Sequence, residues 1–196
     1  MTRIVDQRQV RDGYVKVSIL ELANRAGEQS RREVADFGDS VCVLPYDPDR
    51  KVALVVRLTR APLLFRDVHE TLVEAPAGMI EPGEDAEMTA RREAMEEAGV
   101  LLRELEPVAV CWPSPGVLAE RSHLFLARYT QADRSGAGGG VAAEHEDIEV
   151  EEMPLADLLE LARAGALADM KTLTLVLTLK LREPELFEVP GSPVRG

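Results

Sequence analysis

The sequence predicts a mixed α/β sandwich. Short runs with alternating or β-branched apolar residues come before and between two segments with helical spacing. An order of this kind favours helices packed on the faces of a single sheet. The length of 196 residues fits one ordinary domain with an extension, or two small domains that share a core.

Seven β-strands and two helices are predicted from these patterns. The strands cover residues 14–19, 41–46, 52–58, 72–75, 107–112, 123–129 and 148–153. The helices cover residues 86–98 and 155–164. Gly99 and Gly165 follow the helical segments, and glycine is the residue that most often ends a helix.

Three further segments are less regular. Residues 171–181 alternate like a strand at their start and also place leucines on one helical face, so the pattern leaves both assignments open. Residues 135–143 have the composition of a flexible surface linker, and the acids Glu144 and Glu146 follow directly, which makes this loop a suitable place for function. Residues 184–196 contain three prolines and are expected to lack regular structure.

The composition is that of a soluble globular protein, with 45% hydrophobic and 30% charged residues. No apolar run approaches 18 residues, and the N-terminus lacks the core of a signal peptide, so we expect a cytoplasmic protein. Cys42 and Cys111 both lie in apolar runs. We interpret them as small buried hydrophobic residues rather than as disulfide partners or metal ligands.

The net charge of −12 argues against large polyanionic partners. It would repel nucleic-acid backbones and anionic membranes, so neither is expected to bind. A small phosphorylated substrate is compatible with this charge if arginines, or divalent cations held by carboxylates, screen the phosphates locally.

The most informative segment is residues 78–100, GMIEPGEDAEMTARREAMEEAGV. Residues three and four apart share a helix face, so Glu93, Glu96 and Glu97 bring three carboxylates together. Such a cluster repels itself, and a bound cation removes that penalty. Magnesium prefers oxygen ligands of this kind. The alternative interpretation is a solvated acidic helix face.

The same segment contains features that would hold the acids in place. Alanines at 86, 90, 94 and 98 form a narrow stripe that lets the helix lie close to a sheet. Pro82 and Gly83 fit a turn before the helix. Gly78 is expected to provide a backbone conformation in which a neighbouring carbonyl faces the same cation.

The longer pattern is G-x5-E-x7-R-E-U-x-E-E-x-G-U, where U is apolar, and it resembles the signature of the Nudix hydrolases at every fixed position. The resemblance covers nearly the whole chain and is strongest to the branch that hydrolyses ADP-ribose and GDP-mannose. The motifs that carry it outside the signature are Arg32-Glu33-Val34, Arg60, 77–81, Ser114-Pro115-Gly116, Glu120-Arg121 and 144–148.

The resemblance implies a Nudix α/β/α sandwich with a mixed sheet and a small N-terminal antiparallel β-domain. That N-terminal domain would span residues 1–40 and exchange across a homodimer. The catalytic domain would span residues 41–183, with an irregular tail at 184–196. The family would also make the ambiguous segment after Lys171 a helix.

The resemblance also implies a metal site and a catalytic base. The backbone oxygen of Ala77 and the side chains of Glu93, Glu97 and Glu146 would hold Mg²⁺, with Mn²⁺ as a substitute. Glu96 would be a metal or water partner. Arg92 would orient the acids, whereas its alternative role is an ordinary surface ion pair. Glu144 or Glu146 would take a proton from the attacking water, and we favour Glu144 because Glu146 is assigned to the metal.

Several positions match residues that contact nucleotide, diphosphate or terminal sugar in relatives. They are Arg32, Glu33, Arg60, Met79, Ser114, Pro115, Gly116 and Glu120. By the same resemblance, Tyr14 would stack on the base and Lys171 would reach a phosphate. The alternatives are a core aromatic for Tyr14, a solvated helix start for Lys171, and surface charges for Arg32 and Arg60.

The implied substrate is a nucleotide sugar, with two candidates. The triple glycine at 138–140 and Lys171 resemble the GDP-mannose enzymes, whereas the length of 141–147 and the Glu120-Arg121 pair resemble the ADP-ribose enzymes. We expect ADP-ribose by a small margin, with AMP and ribose 5-phosphate as products. Val117, where relatives often have a second glycine, leaves the sugar open. The intact acids disfavour a non-catalytic sensor, and the flanking motifs disfavour triphosphate or dinucleoside polyphosphate hydrolysis.

Overall fold

The computed structural model describes residues 1–141 and 147–188. At the N-terminus, three antiparallel strands form a separate sheet in the order β1-β2-β3. Their bounds are Arg3–Arg11 (β1), Lys16–Ala23 (β2) and Gln29–Asp36 (β3). This confirms the small N-terminal β-sheet. The apolar pattern had indicated only residues 14–19, because β1 is exposed throughout and β3 is mostly exposed, so neither alternates clearly.

The larger sheet is mixed, as predicted. Its strand order is β10-β5-β4-β9-β8, with β6 paired to β5 and β7 paired to β4. Only β4 and β9 pair in parallel among these described strands. The bounds are Ser40–Asp47 (β4), Val52–Leu58 (β5), Leu72–Glu74 (β6), Ala77–Met79 (β7), Glu106–Cys111 (β8), Ser122–Arg128 (β9) and Glu149–Pro154 (β10).

Three of the four α-helices among the described residues cover this sheet on its two faces, whereas the short first helix buries no residue. The bounds of the four helices are Ala61–Phe65 (α1), Ala86–Ala98 (α2), Leu155–Arg163 (α3) and Met170–Arg182 (α4). Val41 and Val43 of β4 pack with α2, whereas Cys42 and Leu44 belong to the core formed with α3 and α4. Alternate residues of one strand therefore serve two cores, which is the predicted α/β/α sandwich. Across the described residues, no helix combines the length and apolar content needed to cross a membrane.

Helix α2 begins and ends where the sequence predicted. The side chain of Asp85 accepts a hydrogen bond from the Met88 backbone nitrogen at 2.8 Å, and Gly99 ends the helix with a φ of 64°. Three alanines of the predicted stripe, at 90, 94 and 98, are completely buried against the sheet. A larger side chain at these positions would push the helix and its acids away from the sheet.

The segment after Lys171 is helix α4. Asp169 caps its N-terminus by accepting a hydrogen bond from the Thr172 backbone nitrogen at 2.9 Å. Leu175, Val176 and Leu179 are completely buried in the core with α3. The helical face, rather than the local alternation, therefore decided the structure of this segment.

Two segments are more ordered than the sequence suggested. Gly139 and Gly140 donate backbone hydrogen bonds to the carbonyl oxygens of Glu97 (2.8 Å) and Glu96 (3.0 Å), so residues 135–141 cap the end of α2 instead of forming a free linker. Residues 184–187 form a 3₁₀ helix that buries Leu186 and Phe187. Residues 142–146 and 189–196 lie outside the described residues.

The two cysteines differ in burial. Cys42 is completely buried in the core, as expected, whereas Cys111 is half-buried, and neither forms a disulfide.

Candidate active site

A cleft of about 640 Å³ lies where α2, β7 and the N-terminal sheet approach one another. Its volume is in the usual range for a small-molecule site. The lining residues are Tyr14, Ser40, Val41, Arg60, Ala77, Gly78, Met79, Glu81, Arg92, Glu93, Glu97, Glu120 and Lys171. Most of the site residues predicted from the sequence are therefore brought together here.

Two glutamates of α2 line the cleft and are nearly buried. Glu93 is 8% exposed and Glu97 is 5% exposed. The Glu97 Oε2 atom accepts a hydrogen bond from the Ala77 backbone nitrogen at 3.0 Å. This bond connects the helix to β7, so the carboxylate of Glu97 has a defined position beside the predicted backbone ligand.

Gly78 is required by the close approach of Glu93. A Cβ atom at residue 78 would lie 1.8 Å from Glu93 Oε1 and 2.2 Å from its carboxyl carbon. The backbone of Gly78 does not adopt a positive φ. The reason for glycine is therefore the space taken by the carboxylate, and not the special backbone conformation that we expected.

Arg92 connects three carboxylates. Its Nε and Nη2 atoms donate to Glu84 at 2.9 and 3.0 Å, and its Nη1 atom donates to Glu93 at 2.8 Å and to Glu96 at 3.0 Å. Nη2 also donates to the Met79 carbonyl oxygen at 3.3 Å. The pair with Glu96 is thus one part of a larger network that holds the acidic face in one arrangement.

Glu84 is a part of this network to which sequence analysis gave no role, although it is a fixed position of the signature. Hydrogen bonds from Arg92 and then from Thr89 lower the pKa of Glu84 from 4.5 to about 2. Glu84 therefore stays ionised and keeps Arg92 in place across the neutral range.

The donor set of α2 suits a hard divalent cation. Two nearly buried carboxylates, those of Glu93 and Glu97, lie beside Ala77 in the cleft, and oxygen donors of this kind hold Mg²⁺. Within residues 1–141 and 147–188, no three acidic, histidine or cysteine side chains converge closely enough to hold a metal ion by themselves. The further predicted ligand, Glu146, and the predicted base, Glu144, lie outside the described residues.

Besides Arg92, two further cationic side chains, Arg60 and Lys171, line the same cleft. Arg60 donates two hydrogen bonds to Glu74, from Nε at 2.9 Å and from Nη2 at 3.1 Å. The Lys171 Nζ atom lies 2.6 Å from Asp169 Oδ1. Burial of the ammonium group acts to lower the pKa of Lys171, but nearby anionic groups, chiefly the Asp169 carboxylate, together raise it.

These contacts exclude the simpler interpretations of both cations. The Lys171 side chain is 24% exposed, so it is not a solvated helix start. Arg60 is 34% exposed and forms a bidentate pair with a buried glutamate, so it is not an ordinary surface charge.

Glu120 and Tyr14 also lie in the cleft. The Glu120 Oε1 atom accepts hydrogen bonds from the Ser40 hydroxyl at 2.5 Å and from the Ser122 hydroxyl at 3.1 Å. Tyr14, between β1 and β2, is 83% exposed while lining the cleft, so the core-aromatic alternative is wrong. An exposed aromatic ring at the mouth of a cleft is suited to stacking on a base.

The remaining predicted substrate contacts do not line the cleft of this chain. Arg32 and Glu33 are exposed on β3, and residues 114–116 form an exposed loop between β8 and β9. The two regions lie close to each other, because the Ala35 backbone nitrogen donates to the Val117 carbonyl oxygen at 2.9 Å. Their roles in substrate binding stay predictions.

Sequence reasoning missed some residues of the site and its supports. Ser40 and Glu81 line the cleft, while Glu74 and Asp169 pair with the cleft cations. An acid directly before a helix, as at Asp169, is a capping signal that could have been found. Nothing in the local sequence marks Glu74, because its partners come from distant parts of the chain.

Comparisons with known proteins agree with this geometry. The NUDIX domain pattern matches residues 36–174. A GDP-mannose pyrophosphatase of Cronobacter sakazakii is 39% identical over 165 residues, covering 83% of this chain and 85% of the relative. A GDP-mannose pyrophosphatase of Salmonella arizonae is 35% identical over 159 residues, covering 80% and 82%. One from Escherichia coli is 32% identical over 183 residues, covering 91% and 94%. The domain match contains the whole central sheet and α2.

Proposed function

This chain belongs to the Nudix family, and we propose that it hydrolyses the diphosphate of a nucleoside diphosphate sugar, with GDP-mannose as substrate and GMP and mannose 1-phosphate as products. The observation that carries the proposal is the composition of the cleft. Glu93 and Glu97, which can hold a cation, line the same space as Arg60 and Lys171, which can bind phosphate oxygens.

The charge of the protein makes this combination necessary. At a net charge of −12, the chain as a whole repels a diphosphate, so attraction has to come from local cations. The Nudix family generally uses divalent metal ions. We propose Mg²⁺, with Mn²⁺ as a substitute, held by Glu93, Glu97, Ala77 and Glu146. When bound, the ion would neutralise the diphosphate and make a phosphorus atom more open to attack by water.

The residues of the chain would then position the substrate and move one proton. Arg92 bonds to Glu93 and Glu96 and fixes their positions, which would reduce the reorganisation needed when an ion and substrate bind. Glu144 is the proposed base that accepts a proton from the attacking water. Arg60 and Lys171 would bind the phosphate oxygens. The phosphate group that is not attacked leaves with its bridging oxygen.

The choice of GDP-mannose over ADP-ribose rests on the relatives and on two residues. All three relatives described above are named GDP-mannose pyrophosphatases. The Glu120-Arg121 pair had favoured ADP-ribose, but Glu120 binds the hydroxyls of Ser40 and Ser122, and Arg121 forms an ion pair with Asp39. Both residues thus have partners within the protein, so the pair by itself does not favour ADP-ribose.

The test is a substrate panel at saturating Mg²⁺, with separation of products by chromatography. The panel contains GDP-mannose, ADP-ribose, ADP-glucose, NADH and ATP. We expect the highest kcat/KM for GDP-mannose and the release of GMP with mannose 1-phosphate. A higher kcat/KM for ADP-ribose would reverse the substrate choice while keeping the reaction. Tight binding of a sugar nucleotide without any product would instead show a non-catalytic sensor.

A further inference from the structure

Glu74 is a buried carboxylate at the end of β6 that does not line the cleft. It is only 2% exposed. Burial of a charged group costs several kcal/mol unless partners compensate for the lost hydration. Its partners are therefore the reason that this glutamate can lie where it does.

The first partner is Arg60. Both Glu74 oxygens accept hydrogen bonds from Arg60, at 2.9 Å from Nε and at 3.1 Å from Nη2. This two-bond arrangement fixes the plane of the guanidinium group as well as its position. Arg60 lines the cleft and Glu74 lies outside it, so Glu74 fixes the orientation that Arg60 presents to a ligand.

The second partner is Lys171. Its Nζ atom lies 3.8 Å from Glu74 Oε2 and 2.6 Å from Asp169 Oδ1. Asp169 is itself fixed, because its Oδ2 atom accepts hydrogen bonds from the Thr172 backbone nitrogen at 2.9 Å and from the Thr172 hydroxyl at 2.7 Å. Arg60 and Lys171 are thus both held by carboxylates that lie outside the cleft.

The same network connects β6, which ends at Glu74, to α4, which carries Lys171. The Thr172 hydroxyl accepts a hydrogen bond at 2.7 Å from the backbone nitrogen of Ala75, which directly follows Glu74. The end of β6 and the start of α4 therefore move together. An arginine and a lysine on such supports lose less conformational entropy when they bind an anion than freely rotating side chains would.

We propose that Glu74 is a positioning residue, which together with Asp169 holds Arg60 and Lys171 in the geometry that binds the substrate diphosphate. This inference rests on the proposed function, since it assigns the diphosphate to these cations. Glu74 touches neither substrate nor metal and acts only through the two cations. Its contribution should therefore appear mainly in substrate binding.

The test variant is Glu74→Gln, which keeps the shape and removes the charge. We expect the KM for GDP-mannose to rise about 10-fold or more, while kcat changes by less than about threefold, because an interaction that binds ground state and transition state alike is lost. Glu74→Asp keeps the buried charge but is too short to keep both bonds to Arg60 in place. We expect its KM to lie between those of the wild-type protein and Glu74→Gln. This variant provides the test if Glu74→Gln does not fold.

The matched control is Glu152→Gln. Glu152 also accepts two hydrogen bonds from an arginine, Arg50, at 2.9 and 2.5 Å, and one from the Tyr129 hydroxyl at 2.9 Å, but it does not line the cleft. A purely structural role would give both variants similar losses of Tm and no change of KM. We expect the KM change for Glu74→Gln alone.

A second measurement compares the KM of the double variant Arg60→Gln/Lys171→Gln with and without the additional change Glu74→Gln. If Glu74 acts through these cations, Glu74→Gln should change the KM by less than about twofold in that background. A full KM effect in the background, or an unchanged KM in the otherwise wild-type protein, would overturn the inference. Absence of nucleotide sugar hydrolysis by the wild-type protein would instead overturn the proposed function, so the two failures are distinct.

Discussion

Replacing Gly78 by alanine tests the close contact between β7 and the acidic face of α2. The new Cβ atom would lie 1.8 Å from Glu93 Oε1. To reach an ordinary contact of 3.4 Å, the Glu93 carboxylate has to move by about 1.6 Å. The backbone can accept the methyl group, because the atoms that have to move are the far end of one side chain.

The expected effect is a large loss of activity with a modest loss of stability. Metal ligands tolerate errors of about 0.2 Å, and a misplacement of about 1 Å in an active site can cost about 100-fold in rate. We therefore expect kcat/KM to fall at least about 100-fold. The loss of the 2.8 Å bond between Arg92 and Glu93 should cost about 1 to 2 kcal/mol in the free energy of unfolding.

The assay is steady-state hydrolysis of GDP-mannose at several Mg²⁺ concentrations, together with a urea unfolding curve. Gly136→Ala is the matched control, because a Cβ atom there would meet nothing closer than 3.9 Å. The control should keep its activity. Wild-type kcat/KM for Gly78→Ala would refute the reasoning, since it would show that the position of the Glu93 carboxylate does not matter.

Four further predictions concern the acids and the assembly. Glu97→Gln should lower turnover by about 100-fold or more while the fold survives, and near wild-type turnover at saturating Mg²⁺ would contradict the metal assignment. Glu144→Gln should lower turnover with little change in Mg²⁺ requirement, whereas Glu146→Gln should also raise the Mg²⁺ concentration needed for half-maximal rate. An identical change of this concentration in both variants would show that the two roles are wrongly assigned. The pKa of Glu84 is lowered from 4.5 to about 2, so its carboxylate should stabilise the fold above about pH 4.5 and lose this effect as pH falls towards 2. Glu84→Gln should therefore flatten the dependence of Tm on pH in that window. Light scattering should give the mass of a homodimer, in which the N-terminal region would contribute to the partner's site, and a fully active monomer would argue against it.

The sequence predicted the part of the site that lies within one helix. The start of α2 at Ala86, its end before Gly99 and the buried alanines all depend on neighbouring residues, so their spacing is sufficient to find them. The grouping of Glu93 and Glu97 on one face follows from helical geometry in the same way.

The parts that escaped prediction depend on contacts between distant residues. Glu74 meets Arg60, 14 positions away, and Ala75 meets Thr172, 97 positions away. The periodic pattern of apolar residues along the sequence does not indicate such pairs. The requirement for glycine at position 138 also comes from a distant contact, because a Cβ atom there would lie 2.3 Å from the Glu97 carbonyl oxygen. A glycine that makes room for the end of a helix has the same local signal as a glycine in a free linker.

The most direct test of the account is where a divalent ion binds when substrate is present. Crystals grown with Mn²⁺ and a non-hydrolysable methylene analogue of GDP-mannose would locate the ion by its anomalous scattering. We predict an ion coordinated by carboxylate oxygens of Glu93 and Glu97 and by a phosphate oxygen of the analogue, with Arg60 and Lys171 in contact with the diphosphate. An ion held elsewhere, or an analogue whose diphosphate lies away from these two glutamates, would contradict it.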